Sequence, residues 1–548
     1  MFNLKFISQK KHILILALLA IFFFFIYSYL SFSSPEKFNS PDEAANYFFT
    51  KRFVETSSFT YQEPLNEQAD NLIHPRNTKV VDSKIVPYSF LGLYLIAGII
   101  GKVLGLKVIL YVVPLFSAIS GIFFYLFLKE IFSKKTAFLS SFLLLIHPAF
   151  WYFSSQAMHH NALFAALLII TLYFLIKILK GASIFYYLAF GFFASLTCVV
   201  RTSEIIWLGI LTLVLLAASR KNINLKNLAI GFVVFILVLI PLFCYNVQLY
   251  GHPLTIGYLA GEKKDASLSQ QKDALVDLLQ KIKKVLLPSG INLAKLKETI
   301  AKYIFKMFYP FTIFLFLGIF SFLRLKKISI YKKAYFCSFV SVALYLILYY
   351  GSGAYFGAKE AEITVGSSLI RYWLPIYILG MPFVSIVFWK IVKSQERRKL
   401  KILVKGMLIL LFVLFSFNLV YFEKDVGLLK AKENSRLYAE IENEVVSLTE
   451  KNSVIITSYA DKFLFPKRKV IGMHKSLEEN ALENNWSTLK NLMDKIPFYY
   501  FTMYGINIDE TNRKLREKGL KLIPLQTILD IGSLYKFEKI GNQTDNVS

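Results

Sequence analysis

Long apolar runs recur along most of the sequence, and they constrain its fold more than any other feature. A helix needs about 20 consecutive apolar residues to cross the roughly 30 Å hydrocarbon core of a bilayer. The chain has 548 residues, of which 55% are hydrophobic, too large a share for a soluble chain of this length. Twelve apolar runs are visible, near residues 13–31, 85–105, 108–128, 137–153, 161–179, 184–200, 203–219, 228–247, 304–323, 334–350, 369–389 and 402–421. We therefore predict that residues 1–421 form an all-α polytopic membrane domain.

The first run, Ile13 to Leu30, is either a membrane anchor or the core of a signal peptide. A signal-peptide core usually spans about 7–15 residues and is followed by small residues. This run has 18 residues and ends among Tyr27, Tyr29 and Phe32. We therefore predict that it is retained as a transmembrane helix.

The distribution of lysine and arginine predicts the orientation of the chain, because cytoplasmic loops are enriched in both. The connections 129–135, 177–182, 220–226, 324–333 and 390–405 carry 20 Lys or Arg, whereas the alternating connections 152–160, 201–202 and 351–368 carry two. The basic start of the chain also favours a cytoplasmic N-terminus. Both observations can hold only if one early apolar run does not cross.

The run 85–105 is the one that we expect not to cross. It is interrupted by Pro87 and by four glycines, and it carries Lys102. We predict a re-entrant or surface-lying segment within a first extracytoplasmic loop, residues 32–107. About eleven transmembrane helices then remain in the plasma (inner) membrane, with the C-terminus outside.

Two further segments are predicted to lie outside the cytoplasm. In the loop 248–303, apolar residues recur at helical spacing over 275–286 with lysines between them, which predicts an amphipathic helix on the bilayer. Its basic face either binds lipid headgroups or helps to gather an anionic lipid substrate. Residues 422–548 have the composition of a small soluble α/β domain. Its strands are predicted at Ser453–Thr457, Phe498–Tyr504, Lys521–Leu525 and Gly532–Phe537, and its helices at Thr488–Ile496 and Glu510–Lys518.

Charge and motif content exclude several classes of protein. The net charge is +27, but no basic soluble module accompanies it, so basic loops facing anionic lipid explain it better than nucleic-acid binding. Cys198, Cys244 and Cys337 lie in or near apolar runs and predict neither a disulfide framework nor a zinc site. No glycine-rich loop for a nucleotide phosphate is present. We expect no cofactor, and the sequence contains no clear set of ligands for a divalent metal, so metal dependence stays open.

On this topology the unusual polar residues gather at the outer face of the membrane. Ionisable groups at membrane depth are costly and by default mark a functional site. These residues are Asp42 and Glu43 after the first span, Lys84, His159, His160 and Asn161, Arg201 and Glu204, and Arg371 with Tyr372.

Each of these residues also has a structural alternative. The carboxylates at 42–43 are typical of a helix that begins behind an N-cap at Ser40. The histidines at 159–160 suit a metal site less well than a polar contact, because adjacent helical residues point about 100° apart. Arg201, with a glutamate three residues on, also suits a structural ion pair, and Arg371 also suits an interfacial anchor.

Several stretches resemble a known class of membrane enzyme. SPDEAANYF follows the first span, and LFSAISGIFFYLFLKEIFSKKTAFLSSFLLLIHPAFWYFSSQAMHHNALF, VVRTSEIIWL, PLFCYNVQLYGHPLTIGY and RYWLPIY come later in the chain. Through them, residues 10–420 resemble the GT-C class of glycosyltransferases, in particular the branch of protein O-mannosyltransferases and lipid A aminoarabinose transferases. The resemblance implies that Asp42 is the catalytic carboxylate opening the first outer loop, and that this loop contains juxtamembrane helices.

The site expected for such an enzyme draws on most of the polar residues at the outer face. Asp42 and Glu43 are the predicted catalytic carboxylates. Arg201, Arg371 and Lys84 are the predicted ligands of the donor phosphate. Predicted substrate contacts are His159, His160, Asn161, Tyr258 and Tyr372.

We therefore predict transfer of a sugar from a polyprenyl-phosphate carrier to an acceptor hydroxyl on a glycan, lipid or protein at the extracytoplasmic face. A carboxylate can accept the proton that the acceptor oxygen loses, and fixed cations stabilise the leaving phosphate. The resemblance implies one displacement that inverts the anomeric centre. The alternatives are a transporter or flippase of a lipid-linked or anionic solute and a non-catalytic membrane scaffold.

Overall fold

The computed structural model describes residues 4–33, 36–217, 222–259, 290–352, 363–473, 477, 482 and 485–540. The chain divides into two compact units. The first is built from Met1–Phe32, Leu110–Pro241 and Lys263–Lys430, and the second from Ser33–Ile109, Leu242–Glu262 and Ala431–Ser548. The strands of the described residues all belong to the second unit. The predicted division at residues 421 and 422 stays a prediction.

Helices dominate the described chain, and several begin behind side chains that cap them. They are α1 (Leu4–Tyr27), α2 (Tyr29–Ser33), α3 (Pro41–Thr56), α4 (Gly92–Leu104), α5 (Val112–Leu128), α6 (Lys134–Ile146), α7 (Pro148–Ser154), α8 (His160–Leu179), α9 (Ile184–Val200), α10 (Ile205–Ala217), α11 (Leu225–Tyr250), α12 (Leu293–Ile300), α13 (Tyr309–Leu323), α14 (Ile330–Gly351), α15 (Ser368–Tyr372), α16 (Leu374–Ser394), α17 (Arg398–Phe422), α18 (Leu428–Ser447), α19 (Asp461–Leu464), α20 (Trp486–Leu492) and α21 (Ile508–Arg516). Ser133, Ser329 and Asn507 cap α6, α14 and α21, each accepting a hydrogen bond from a first-turn N–H.

Six of the described helices are long and apolar enough to cross a membrane: Leu106–Leu128, His160–Leu179, Leu225–Tyr250, Ile330–Gly351, Leu374–Ser394 and Arg398–Phe422. Three helix pairs pass the same test together but are bent: Lys134–Ile146 with Pro148–Ser154 by 55°, Ile184–Val200 with Thr202–Ala217 by 111°, and Leu293–Lys306 with Tyr309–Leu323 by 98°. The prediction of a helical multi-pass membrane protein is confirmed. With each pair counted as one span, the described residues hold up to nine, so the predicted number of eleven is not confirmed.

The run 85–105, predicted not to cross, forms a strand followed by a short helix. The helix α4 has 13 residues. At 1.5 Å per residue it is about 20 Å long, shorter than the roughly 30 Å hydrocarbon core. A Cβ atom at Gly98 would collide with Phe53 of α3, and one at Gly101 would lie 2.8 Å from Val54. Two of the glycines that interrupt the run therefore allow α4 to pack closely on α3.

The second unit contains a mixed five-stranded sheet. The strands of the chain are β1 (Tyr61–Gln62), β2 (Thr78–Val81), β3 (Lys84–Pro87), β4 (Val454–Ser458), β5 (Lys469–Met473), β6 (Phe498–Thr502), β7 (Leu520–Ile528) and β8 (Gly532–Lys539). The large sheet has the order β5-β4-β6-β8-β7, with β4 parallel to both neighbours and β8 antiparallel to both of its own. All four predicted strands and both predicted helices of the C-terminal segment are confirmed, with shifted ends. The strand β5 was missed, because its apolar run is only four residues long and is bordered by Lys469.

Residues of the first predicted loop pack against this sheet within the second unit. The strands β1, β3 and β2 form a small antiparallel sheet. Just before β2, the carbonyl of His74 accepts a hydrogen bond from the amide of Gly472 in β5. The buried carboxylate of Asp461 accepts hydrogen bonds from the backbone N–H and the Nε of Arg76, at 2.7 and 2.8 Å. A buried charge pair therefore joins the loop 32–107 to the C-terminal segment.

Two further predictions concern the loop 248–303 and the cysteines. The amphipathic helix expected over residues 275–286 lies outside the described residues. The three cysteines are all free thiols, Cys198 buried and the other two exposed.

The helix α8 forms the core of the first unit. Eighteen of its 20 residues are buried, and apolar side chains surround it on all sides. A helix that is apolar all round must be covered by other helices or by lipid. Its neighbours α5 and α9 pack along it.

Glycines set the closest approach between α9 and α11. A Cβ atom at Gly191 would collide with the carbonyl oxygen of Gly231, and one at Gly231 would lie 2.6 Å from the carbonyl oxygen of Tyr187. Small residues at such crossings let helix backbones touch inside a membrane. By contrast, a methyl group added at Gly209 of α10 would point into open space, with no neighbouring atom within 4 Å.

We expect Gly191→Ala to destabilise the protein, because the added methyl group must push two backbones apart. Overpacking of this kind costs about 1–3 kcal/mol. The matched control is Gly209→Ala, which has free space and gains about 0.5–1 kcal/mol of helix propensity. Thermal unfolding in detergent should therefore show a lower midpoint for the first variant and an unchanged or higher one for the second. Equal midpoints would contradict the close approach of α9 and α11.

Candidate functional site

Asp42 and Glu43 occupy the first turn of α3. Ser40 is the N-cap, and its Oγ accepts a hydrogen bond from the backbone N–H of Asp42 at 3.2 Å. The structural alternative, a helix start with carboxylates near its positive end, is therefore present. It is not the whole environment of Asp42, however, because Asn77 donates a hydrogen bond to Asp42 Oδ1 at 2.5 Å.

The face of α3 that carries Asp42 is polar near its start. At 3.6 residues per turn, Asp42 and Asn46 lie one turn apart on the same side. The buried Oδ1 of Asn46 accepts a hydrogen bond from the Tyr94 hydroxyl of α4 at 2.7 Å. Asn77 and Tyr94 therefore fix the side chains at the start of this face, which preorganises the carboxylate of Asp42.

Glu43 has a different environment from Asp42. Only 4% of it is exposed, and its negative charge acts on the ammonium group of Lys462. Burial and the nearby Arg76 guanidinium lower the pKa of Lys462 to about 8, while Asp461 and Glu43 act in the opposite direction. Glu43 thus belongs to a buried charge network around α19.

Lys84 and Tyr258 both belong to the surroundings of the strand β3 and the residues that follow it. Lys84 begins β3 and is exposed. The ring of Tyr258 packs against Tyr88 at 4.8 Å, and its hydroxyl lies 3.1 Å from Ser89 Oγ. Gly257 allows this contact, since a Cβ atom there would lie 2.5 Å from the Tyr88 backbone. The structure therefore brings Tyr258 to the residues that follow β3.

In the first unit, Arg201 lies at the 111° bend that precedes α10. Its Nε and Nη2 donate to Glu204 Oε1 at 3.0 and 2.7 Å. Trp207 Nε1 donates to Glu204 Oε2 at 2.5 Å, and the Tyr350 hydroxyl donates to Oε1 at 2.6 Å. Arg201 is 6% and Glu204 is 4% exposed. The ion pair predicted as a structural alternative is therefore present and buried.

Tyr372 links this pair to a second arginine. Its ring stacks on Tyr350 at 4.5 Å, with an angle of 13° between the ring planes. The guanidinium carbons of Arg201 and Arg371 lie 5.1 and 5.4 Å from the centre of the Tyr372 ring. Two cations and one aromatic ring thus form a single cluster, in which cation–π attraction contributes to holding the guanidinium groups.

Arg371 also contacts the start of α8. Its Nη1 lies 3.1 Å from His159 Nδ1, and its Nη2 donates to Ser368 Oγ at 3.1 Å. Asn161 Nδ2 donates to the carbonyl of Arg371 at 3.3 Å. His160 is buried at the first position of α8. The structure therefore assembles His159 and Asn161 at the start of α8, Arg371 and Tyr372 of α15, and Arg201 at the bend after α9 into one polar cluster.

Trp207, Tyr350 and Ser368 belong to this cluster and were not predicted. Trp207 lies three residues after Glu204, a helical spacing that the sequence does display. Tyr350 comes from α14, 146 residues away from its hydrogen-bond acceptor, and no local pattern points to it. Within the described residues, no group of three or more His, Cys, Asp or Glu is placed to hold a metal ion.

An apolar cavity of about 720 Å³ opens beside the bend. Side chains of α8, α9, α10 and α11 line it. The lining includes Thr197 and Cys198, which precede Arg201 in the chain, and Ile205, which follows it. The polar cluster and the apolar cavity therefore share the same short stretch of chain within the first unit.

Comparison with known proteins supports the resemblance inferred from the sequence. Residues 87–245 match the model of a family described as dolichyl-phosphate-mannose-protein mannosyltransferase. No curated protein sequence matches the chain.

Solved structures match nearly the whole chain. ArnT from Cupriavidus metallidurans, bound to undecaprenyl phosphate, is 10% identical with a TM-score of 0.59, over 96% of this chain and 98% of its own. The archaeal oligosaccharyltransferase AglB from Archaeoglobus fulgidus, in complex with an inhibitory peptide and a dolichol-phosphate, is 12% identical with a TM-score of 0.53. That match covers 93% of this chain and 71% of AglB. The chain thus has the fold of the GT-C membrane glycosyltransferases, and the predicted resemblance is confirmed.

The buried pair of Arg201 and Glu204 allows a test of how the pair contributes to stability. We expect Glu204→Leu to destabilise the protein by about 3–5 kcal/mol, because it leaves a buried guanidinium without its carboxylate. The double variant Arg201→Met with Glu204→Leu should recover at least half of that loss, since no unpaired charge remains. Thermal unfolding in detergent measures both. A double variant as unstable as the single one would show that the loss of stability does not come from an unpaired guanidinium.

Proposed function

We propose that the protein is a membrane glycosyltransferase that moves a sugar from a polyprenyl-phosphate carrier to an acceptor hydroxyl on the extracytoplasmic side. The observation that carries the proposal is the place of Asp42 in a chain with a GT-C fold: it lies in the first turn of α3, which follows the first apolar helix and the short helix α2. The family match over residues 87–245 and the lipid phosphates named for ArnT and AglB support the same class of donor.

In this proposal Asp42 is the general base. The acceptor oxygen attacks the anomeric carbon while its proton passes to the carboxylate, and the bond between that carbon and the donor phosphate oxygen breaks. The polyprenyl phosphate leaves with the bonding electron pair, and one displacement inverts the anomeric centre. The hydrogen bond from Asn77 stabilises the ionised, oriented form of the carboxylate, which is the form that a base requires. Glu43 takes no direct part in the proton transfer.

The donor is proposed to bind at the polar cluster of the first unit. Arg201 and Arg371 supply fixed positive charge for the growing charge on the leaving phosphate. The apolar cavity flanking Arg201 suits the isoprenoid units nearest to the phosphate, because its lining is almost wholly apolar. Lys84, His159, His160, Asn161, Tyr258 and Tyr372 complete the proposed contacts to phosphate and sugar.

The proposed topology follows from the charge distribution. Twenty basic residues in one set of connections, against two in the other, favour a cytoplasmic N-terminus and an extracytoplasmic active site and C-terminal segment. The proposal includes eleven spans in the plasma membrane. The acceptor is a glycan, lipid or protein hydroxyl, and the donor sugar is a hexose or a pentose.

One observation favours the alternative of a transporter or flippase. Transporters often carry helices broken near the bilayer midplane, and three helix pairs in the described residues are bent by 55° or more. Turnover separates the two functions. Purified protein incubated with radiolabelled polyprenyl-phosphate sugar and membrane extract should form a new labelled product if the protein is an enzyme, whereas a flippase would only redistribute the donor.

We expect Asp42→Asn to fold and to lose most turnover. Asparagine keeps the shape of the side chain but cannot take up the proton, and the loss of a general base lowers the rate by about 10²–10⁴-fold. The matched control is Asp82→Asn, at an exposed turn position with a φ of 49°, where asparagine is well tolerated. The measurement is the initial rate of labelled product under conditions limited by chemistry.

Glu43→Gln should reduce that rate less than Asp42→Asn does. If Asp42→Asn keeps a near-normal rate, Asp42 only stabilises the start of α3 and the assignment of the base is wrong. A folded Arg201→Met, Glu204→Leu double variant without turnover would in addition give Arg201 a role beyond its ion pair.

A further inference from the structure

A second cavity, of about 560 Å³, lies within the second unit, and the proposed reaction does not use it. It is lined by residues 36–38, one face of α3, residues of the segments 75–78 and 461–467, and single residues of β1 and α18. This volume is within the range of sites that bind small molecules.

The cavity lies on the opposite side of α3 from the proposed base. Its lining residues on this helix include Pro41, Ala44, Phe48 and Glu55, which recur every three to seven positions along one face. At about 100° per residue, Asp42 falls on the other side, one turn from Asn46, which bonds to Tyr94 of α4. A ligand in this cavity would therefore not contact the proposed catalytic carboxylate.

The lining of the cavity carries an excess of positive charge. Its basic residues are Lys37, Lys51, Arg52, Arg76, Lys462 and Lys467, and its acidic residues are Glu36, Glu55, Glu442 and Asp461. Three of these four carboxylates are already engaged with neighbours in the cavity wall. Asp461 binds Arg76, Glu442 binds Lys37 and Lys467 at 2.5 and 2.9 Å, and Glu36 bonds to Tyr47.

Lys462 lies in this wall beside Arg76. Burial, followed by repulsion from Arg76, lowers the pKa of this ammonium group to about 8. An anion bound beside Lys462 and Arg76 would reduce the repulsion between these two cations. The cavity is therefore suited to an anionic ligand.

Aromatic rings form a further part of the wall. Phe48, Tyr61 and Phe465 pack edge to face, with ring centres 4.8–5.5 Å apart, and all three are half-buried. The guanidinium carbon of Arg52 lies 5.3 Å from the centre of the Tyr61 ring. Rings of this kind pack against the apolar C–H face of a sugar, while charged groups around them bond to its hydroxyl and acid groups.

We propose that this cavity is a second, non-catalytic binding site for an anionic saccharide. Its role as a docking site for a glycan acceptor, remote from the transferred sugar, rests on the proposed function. The binding itself does not, because every group that carries the argument lies within the second unit.

Binding can be measured on the full chain in nanodiscs of neutral phosphatidylcholine. The probes are tetragalacturonate, neutral maltotetraose and tetraglutamate, each titrated by calorimetry at low salt. We expect tetragalacturonate to bind at least tenfold more tightly than either of the others, and to weaken as salt is added. If tetraglutamate binds as tightly as tetragalacturonate, the site recognises acidic groups and not a saccharide, and the proposal is overturned. If maltotetraose binds as tightly, the site has no preference for an anionic ligand, which also overturns the proposal.

Matched variants locate the site. Lys51→Glu, within the cavity wall, should weaken tetragalacturonate at least tenfold, whereas Lys518→Glu, an exposed lysine just after α21 and away from the wall, should change it less than twofold. Thermal unfolding confirms that both variants are folded. Tyr61→Ala, which removes a ring from the wall, should also weaken binding. If Lys51→Glu and Lys518→Glu act alike, binding occurs elsewhere and the proposal is overturned.

The result is separable from the proposed function. Asp42→Asn should leave the affinity for tetragalacturonate unchanged, since the two lie on opposite sides of α3. Selective binding without any glycosyl transfer would support this binding site and overturn the proposed enzymatic function. Glycosyl transfer without selective binding would support the enzymatic function and overturn this binding site.

Discussion

Charged side chains can be buried only with partners that replace water, and this constraint shapes both units. Taking an ion out of water is costly, and the cost is offset only by an opposite charge and further hydrogen bonds in good geometry. In the first unit, Glu204 at the bend before α10 is held by Arg201, Trp207 and Tyr350. In the second, Asp461 is held by both the backbone and the side chain of Arg76. Each buried carboxylate therefore holds a segment that is distant in sequence: Tyr350 of α14 at Glu204, and Arg76 at Asp461.

This constraint also decides where chemistry is feasible. A chain that spans a bilayer must pair its backbone polar groups within helices, so that ionisable side chains cluster where helices break or end. Arg201 lies at a bend of 111°, Arg371 in the short helix α15, and Asp42 in the first turn of α3. The positions that interrupt the helices are thus the positions that carry the proposed site.

Much of the architecture was predictable because it follows from local patterns. The apolar runs are long enough for their composition alone to require helices, and strands such as Phe498–Thr502 are marked by continuous β-branched and aromatic residues. The pairing of Arg201 with Glu204 was visible as a spacing of three residues. The number of membrane spans could not be predicted in the same way. The composition of short, bent helix pairs such as α6 and α7 does not show whether the pair crosses the membrane.

What the sequence alone determined is therefore the class of fold, the position of the carboxylates behind Ser40 and the polar residues that border the apolar runs. These features depend on neighbours within a few residues, through helical periodicity, capping and hydropathy. Only the tertiary structure decided that Asn77 holds Asp42, that Tyr350 and Tyr372 join two arginines into one cluster, and that an aromatic and basic cavity lies behind α3. Those contacts join residues up to several hundred positions apart, and they depend on side-chain packing, which no local pattern of residues encodes.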